Sequence, residues 1–115
     1  MRECIIETES QEALDILHLD GALDAYSFPR LEGALNKLRE QNRNQVILDC
    51  RGLDYISSAA LGTLIGFARR SREANGDLKL AGLSKKIYGI VELLGFHKIL
   101  EIFDTVEAAA KKFNP

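Results

Sequence analysis

The sequence contains no tryptophan, only two cysteines, and aromatic residues at 7% of its 115 positions. So few aromatic side chains give little material for stacking on nucleic-acid bases. Cys4 and Cys50 are too few and too far apart for a metal-binding motif or a disulfide framework. Such cysteines are typical of a protein in the reducing cytoplasm, and we predict that location.

The sequence also lacks an excess of charge of one sign and a long apolar run. Fifteen lysines and arginines against 17 aspartates and glutamates give a formal net charge of −2. This balance argues against direct binding to nucleic acid or to an anionic membrane. The longest uncharged stretch, residues 55–68, is too short to span a bilayer. The first residues hold no apolar run of signal-peptide length, and we predict neither membrane insertion nor secretion.

What the sequence does contain is typical of a globular domain. Hydrophobic residues make up 46% of the chain and charged residues 28%, which is the usual balance of a folded protein. A chain of 115 residues can bury enough apolar surface for a core without disulfides or metals. We therefore predict a single domain over residues 1–115.

Short β-favouring runs predict four to five strands. The first two runs are separated by Gln11 and Glu12, which suit a hairpin turn, and Gly21 is expected to close the second strand. The run at residues 46–48 is apolar throughout, as expected for a central strand covered on both faces. In chain order, the predicted strands occupy residues 4–8, 13–19, 46–48, 78–81 and 99–103.

Apolar residues at helical spacing follow four candidate N-caps and predict four helices. The second helix is expected to end at Asn75–Gly76 and the third at Gly95. The candidate N-caps are Ser27, Ser57 or Ser58, Ser84, and Asp104 in a capping box with Glu107. The resulting order, β-β-α-β-α-β-α-β-α, predicts an α/β fold. Its mixed sheet of four to five strands is parallel beyond the first hairpin, with helices packed against it.

Two adjacent serines, Ser57 and Ser58, lie where a strand-to-helix loop is expected to meet the second helix. Backbone N–H groups at a helix N-terminus lack intrahelical partners, and the helix dipole is positive there. A phosphate on either serine would therefore be stabilised. The alternative is that these serines serve only as N-caps, because serine is among the best capping residues.

The second helix is unusual because no charged residue occurs between Asp54 and Arg69. Beside its apolar stripe, the remaining positions are small and uncharged. Such a surface lets another backbone approach closely and suits a protein–protein contact, although small residues also suit tight packing within one domain. The small residues in question are Ala59, Ala60, Gly62, Thr63 and Gly66.

Four segments carry a resemblance when they are taken together: Gly21–Asp24, Val46–Asp49, Tyr55–Gly62 and Gly95–Leu100. In this order and at this length, they resemble a STAS domain, and in particular the stand-alone anti-sigma factor antagonists of bacteria. The resemblance covers nearly the whole chain. It implies a switch that has no catalytic activity or cofactor of its own. The unmodified protein would bind an anti-sigma factor, usually a serine kinase, and so free a sigma factor for transcription. The kinase would phosphorylate the antagonist, and a separate phosphatase would reset it.

The resemblance also implies a set of site residues. Aligning Leu61 and Gly62 with the family's loop puts Ser58 at the phosphorylated position, with Ser57 as the alternative. Ser57 stands where aspartate is common in the family. Asp24 matches a loop acid that lies near the phosphorylated serine and the partner surface in such proteins. The implied partner-binding residues are Asp24, Ser57, Ser58, Ala59, Ala60, Gly62 and Thr63.

Two other functions stay open at this point. One is a STAS scaffold or adaptor without a phosphate cycle, in a signalling assembly or beside a transporter. The other is a receiver-like domain phosphorylated on Asp49, which is expected to end a central strand. The acidic pair that would hold Mg²⁺ in such a domain is missing after the first strand. No metal site is predicted, since neither His18 nor His97 has a cysteine, aspartate or second histidine at ligand spacing.

Overall fold

The structure is a computed structural model that describes residues 3–113, and these residues form a five-stranded sheet with helices on both faces. The strands are β1 (Cys4–Ser10), β2 (Asp15–Leu23), β3 (Gln45–Ile56), β4 (Asp77–Ala81) and β5 (Ile102–Phe103). The helices are α1 (Phe28–Glu40), α2 (Ser58–Glu73), α3 (Lys85–Leu93) and α4 (Val106–Phe113). A 3-10 turn at Phe96–Lys98 separates α3 from β5. Apart from that turn, the element order and the α/β class are as predicted from the sequence.

The strands pair in chain order across the sheet. β1 is antiparallel to β2, and every other neighbouring pair is parallel. This confirms the predicted mixed sheet, parallel beyond the first hairpin. Because β2 to β5 run in one direction, their carboxyl ends lie at the same end of the sheet, where the loops to the following helices begin.

The larger hydrophobic core lies between one face of the sheet and helices α1, α2 and α3. Leu48 of β3, Leu31 of α1 and Leu61 of α2 are fully buried in it. On the opposite face, Ile47 packs in a smaller cluster with Ala109 of α4. The run at residues 46–48 is therefore covered on both faces, which is what its continuous apolar sequence predicts.

Two strands extend further than predicted. β2 continues through Gly21 to Leu23, so the expectation that Gly21 closes the strand is wrong. Gly21 has φ +121°, and a Cβ there would collide with the carbonyl oxygen of Glu3. Glycine at this position permits the close approach of the backbone at the start of β1. β3 extends to Ile56 because its more polar second half still pairs with β2.

The helix ends follow local capping chemistry. The Ser84 hydroxyl caps α3, and Gly95, in the left-handed region at φ +75°, follows its end, both as predicted. The predicted capping box at Asp104 is wrong by one residue. The Thr105 Oγ accepts the hydrogen bond from the Ala108 N–H instead, at 3.0 Å.

On the face opposite α1, a histidine links three strands. His18 of β2 lies 2.9 Å from Glu9 of β1 through its Nε2 and 2.7 Å from Asp49 of β3 through its Nδ1. The Arg51 guanidinium also donates to Asp49, and together with His18 it lowers the pKa of that carboxyl to about 2. The hydrogen bonds to Glu9 and Asp49 raise the pKa of His18 above its ordinary value of 6.5.

The stability of the fold is expected to fall as the pH rises through the folded-state pKa of His18. Folding raises this pKa, so protonated His18 stabilises the folded state. This stabilisation is complete below pH 6.5 and is lost as the pH rises above the folded-state pKa. Urea denaturation at about pH 6 and about pH 9 measures the difference. We expect His18→Gln to abolish most of this pH dependence. An unchanged pH dependence in His18→Gln would show that another group causes it.

Candidate functional site

The loops after β2 and β3 meet at the carboxyl end of the sheet. β2 ends at Leu23 and β3 at Ile56, and the second strand leads through Ser57 directly into α2. The backbone N–H of Ser57 donates to the carbonyl oxygen of Leu23 at 2.8 Å. This bond joins the two loops at their bases. It brings Asp24 close to Ser57 and Ser58, although Asp24 lies far from these serines in the sequence.

The two serines have different structural roles. Ser57 has the extended backbone of an N-cap, and its Oγ accepts a hydrogen bond from the Ala60 N–H at 3.1 Å. Ser58 is the first residue of α2; its side chain is exposed and makes no hydrogen bond within the part of the chain that the structure describes. The capping role therefore belongs to Ser57, while the hydroxyl of Ser58 is open to an enzyme.

The start of α2 favours a negative charge on Ser58. The helix has 16 residues, and the N–H groups of its first turn provide a partial positive charge. No lysine or arginine occurs in residues 55–68, so no nearby side chain on this segment would fold over a phosphate. A phosphate at this position would remain at the surface, where it would obstruct any protein that docks there.

The uncharged surface of α2 is narrower than expected. Ala59 and Gly62 are exposed, and Thr63 is half-buried with its hydroxyl donating to the Ala59 carbonyl at 3.1 Å. Ala60 is only 3% exposed, so the expectation that it lies on the open face is wrong. One residue before the buried Leu61, it points with the apolar stripe toward the sheet.

Asp24 is hydrogen-bonded within its own loop. Its Oδ1 accepts from the backbone N–H of Tyr26 at 2.9 Å and from that of Ser27 at 3.0 Å. The N–H of Ser27, with that of Tyr26, holds the pKa of the Asp24 carboxyl below its ordinary value. Ser27 occupies the predicted N-cap position of α1 but makes no side-chain cap bond, because its hydroxyl donates to the Ala22 carbonyl at 2.6 Å.

The sequence did not point to two exposed aromatic side chains at this end of the sheet. Tyr26 lies between Asp24 and Ser27 and is 85% exposed, and Tyr55, just before the serines, is 46% exposed. An aromatic residue in a loop breaks no periodic pattern, so the sequence contains no signal for its exposure.

Asp49 lies away from this site, in the middle of β3. The strand continues to Ile56, so the expectation that Asp49 ends it is wrong. Asp49 is 4% exposed, and its carboxylate is paired with Arg51 and His18. A receiver-like phosphoacceptor would need an open position at the end of its strand, and Asp49 does not have one.

The family model of the STAS domain matches residues 6–109. The chain belongs to the STAS domain family. The fold and the motif resemblance agree with that assignment along nearly the whole chain. Among the described residues 3–113, no helix is both long and apolar enough to cross a bilayer.

A named relative and two solved structures are similar to this chain over most of its length. BtrV of Bordetella bronchiseptica, which carries the name of an anti-sigma factor antagonist, is 33% identical over 84% of this STAS chain and 83% of its own. The Thermotoga maritima protein TM1081 has a TM-score of 0.86 at 17% identity, covering 93% of this chain and 92% of its own. The Bacillus cell fate determinant SpoIIAA, in its phosphorylated form, has a TM-score of 0.73 at 17% identity. That comparison covers 96% of this chain and all of SpoIIAA.

Proposed function

We propose that this protein is an anti-sigma factor antagonist, with residues 1–115 acting as one domain. Its unphosphorylated form binds an anti-sigma factor of the serine kinase type and thereby releases a sigma factor for transcription. Phosphorylation of Ser58 ends this binding. The observation that carries the proposal is the open hydroxyl of Ser58 at the start of α2, on an uncharged surface beside the Asp24 loop.

The proposed partner surface consists of the exposed start of α2 and the loop that precedes α1. Small side chains at Ala59 and Gly62 permit close approach of a partner backbone. The half-buried Ser57, Thr63 and Asp24 border this area. Ala60 supports the surface from beneath, since it is buried under the first turn of α2.

Phosphorylation would act through the cost of removing charge from water. A phosphoserine carries about −1.5 to −2 charges at neutral pH. Burying that charge in a close contact requires desolvation, and the segment of residues 55–68 offers it no lysine or arginine. A penalty of about 3 kcal/mol would weaken the complex more than about 100-fold. The fold itself would tolerate the charge, because the helix N-terminus stabilises it.

The proposed cycle needs other proteins. The anti-sigma factor supplies the kinase activity, a separate phosphatase restores the serine, and this chain catalyses neither step. The cycle operates in the cytoplasm, where sigma factors act, without direct contact between this chain and nucleic acid.

Calorimetric titration tests the proposal. Each anti-sigma factor kinase encoded by the source organism is purified and titrated with this chain, before and after incubation of the chain with that kinase and ATP. We expect one kinase to bind the untreated chain with a dissociation constant of about 1 μM or tighter, and the treated chain more than about 100-fold more weakly. Absence of binding by every kinase to the untreated chain would contradict the proposed function.

A further inference from the structure

The loop between β2 and α1 is fixed by hydrogen bonds around a single carboxylate oxygen. The Asp24 Oδ1 accepts from the N–H groups of Tyr26 and Ser27 at 2.9 and 3.0 Å, and the Ser27 hydroxyl lies 3.2 Å from the same oxygen. That hydroxyl also accepts from the Asp24 N–H at 3.0 Å and donates to the Ala22 carbonyl. The loop is therefore tied both to itself and to the end of β2.

This hydrogen bonding uses one carboxylate oxygen of Asp24 to hold the backbone of its own loop. The bonds of its Oδ1 all remain within residues 24–27, and the residue is half-buried. The large side chain of the same loop that extends into solvent is that of Tyr26, at 85% exposure. A large aromatic group on a fixed backbone is a typical interface anchor, because little further ordering is needed when it binds.

The loop is continuous with the Ser58 surface. The Ser57 N–H donates to the Leu23 carbonyl, one residue before Asp24, so a partner that covers Ser58 also meets the Tyr26 loop. The half-exposed Tyr55 lies on the strand between them, paired in register with Ala22. Tyr26 and Tyr55 are thus both exposed at the end of the sheet that carries Ser58.

We infer that Tyr26 is a direct contact residue for the anti-sigma factor and that Asp24 is a positioning residue, which acts by fixing the backbone of Tyr26. This inference rests on the proposed function. The anti-sigma factor would then have a recess that accepts the ring of Tyr26. This recess would adjoin the area of the anti-sigma factor that covers Ser58. The negative charge of Asp24 is not required for binding; its acceptor oxygen is.

Conservative replacement separates these two roles of Asp24. Asparagine keeps an acceptor oxygen at the same position without the charge, whereas alanine removes the acceptor. In titrations with the anti-sigma factor kinase that binds the wild type, we expect Tyr26→Ala to weaken binding by about 30-fold or more. Asp24→Ala should weaken it about 10-fold, and Asp24→Asn by less than about 3-fold. Asp24→Ala combined with Tyr26→Ala should be no weaker than Tyr26→Ala alone.

Leu93→Ala is the matched control for loss of an exposed apolar side chain. Leu93 is also 85% exposed, but it is the last residue of α3, about 12 Å along that helix from its start. We expect its replacement to change the affinity by less than about 2-fold. Unchanged affinity in Tyr26→Ala would overturn the contact role, and equal losses in Asp24→Asn and Asp24→Ala would overturn the positioning role.

A second measurement tests the positioning role without any partner. Amide hydrogen exchange followed by NMR should show faster exchange at Tyr26 and Ser27 in Asp24→Ala, and wild-type exchange in Asp24→Asn. Equal exchange in both variants would overturn this part of the inference. If no kinase binds the wild type, the proposed function fails. If a kinase binds the wild type and the Tyr26→Ala variant equally, only the contact role of Tyr26 fails.

Discussion

Replacement of Ser58 by aspartate is expected to weaken binding to the anti-sigma factor by more than about 100-fold, while Ser58→Ala binds like the wild type. Ser58 is exposed at the start of α2, and its hydroxyl makes no hydrogen bond in the described part of the chain. Alanine therefore removes nothing that the fold uses. Aspartate adds a charge that is stable at the helix N-terminus but must lose water when a partner covers it.

Ser57→Asp is the matched control for this charge. Ser57 caps α2 through its Oγ and the Ala60 N–H, and aspartate is an equally good capping residue. Its carboxylate would be directed to the helix backbone, so we expect a loss of affinity below about 10-fold and an unchanged thermal midpoint. Calorimetry of the three variants measures the affinities. Equal binding by Ser58→Asp and Ser58→Ala would contradict a switch at this residue.

The substitutions Ala60→Glu and Ala59→Glu are expected to have very different effects on stability and binding, although the two residues are neighbours. Ala60 is 3% exposed and packs with Leu61 in the main core, whereas Ala59 is exposed. Ala60→Glu buries a charge without a partner and should lower the free energy of unfolding by about 4 kcal/mol or more. Ala59→Glu should leave the fold unchanged within about 1 kcal/mol and block the partner surface.

Urea denaturation followed by circular dichroism measures both stabilities, and calorimetry measures binding by Ala59→Glu. A total stability of about 5 to 15 kcal/mol is usual for a domain, so Ala60→Glu is expected to unfold partly or fully under ordinary conditions. A stable Ala60→Glu variant would mean that this side of α2 is open. A stable Ala59→Glu variant with wild-type affinity would remove the first turn of α2 from the partner surface.

The sequence predicts the elements of this fold better than their lengths. Hydrophobic periodicity, Ser84 and Gly95 are local signals, and the elements that they predict are present. The extent of β2 depends on a non-local contact, since Gly21 is needed where β1 approaches and not where the strand ends. The polar second half of β3 is a strand because β2 pairs with it, and pairing leaves no apolar pattern in the sequence.

The candidate site could be predicted in position but not in detail. Adjacent serines before an uncharged helix identify the start of α2, but only the hydrogen bond of the Ser57 Oγ distinguishes the cap from the exposed Ser58. Small residues such as Ala60 fit either face of a helix, so hydrophobicity did not reveal its burial. The hydrogen bonds of Asp24 depend on the path of its loop, which the sequence does not specify.

Phosphopeptide mass spectrometry of the protein isolated from its own cells tests the proposed switch most directly. The peptide that contains Ser57 and Ser58 is sequenced by fragmentation, which assigns a phosphate to one serine or the other. We expect phosphate on Ser58, in a fraction that changes with growth conditions. Phosphate on Ser57 would reassign the switch to the capping residue. No phosphate on either serine under any condition would contradict the switch and favour a STAS scaffold without a phosphate cycle.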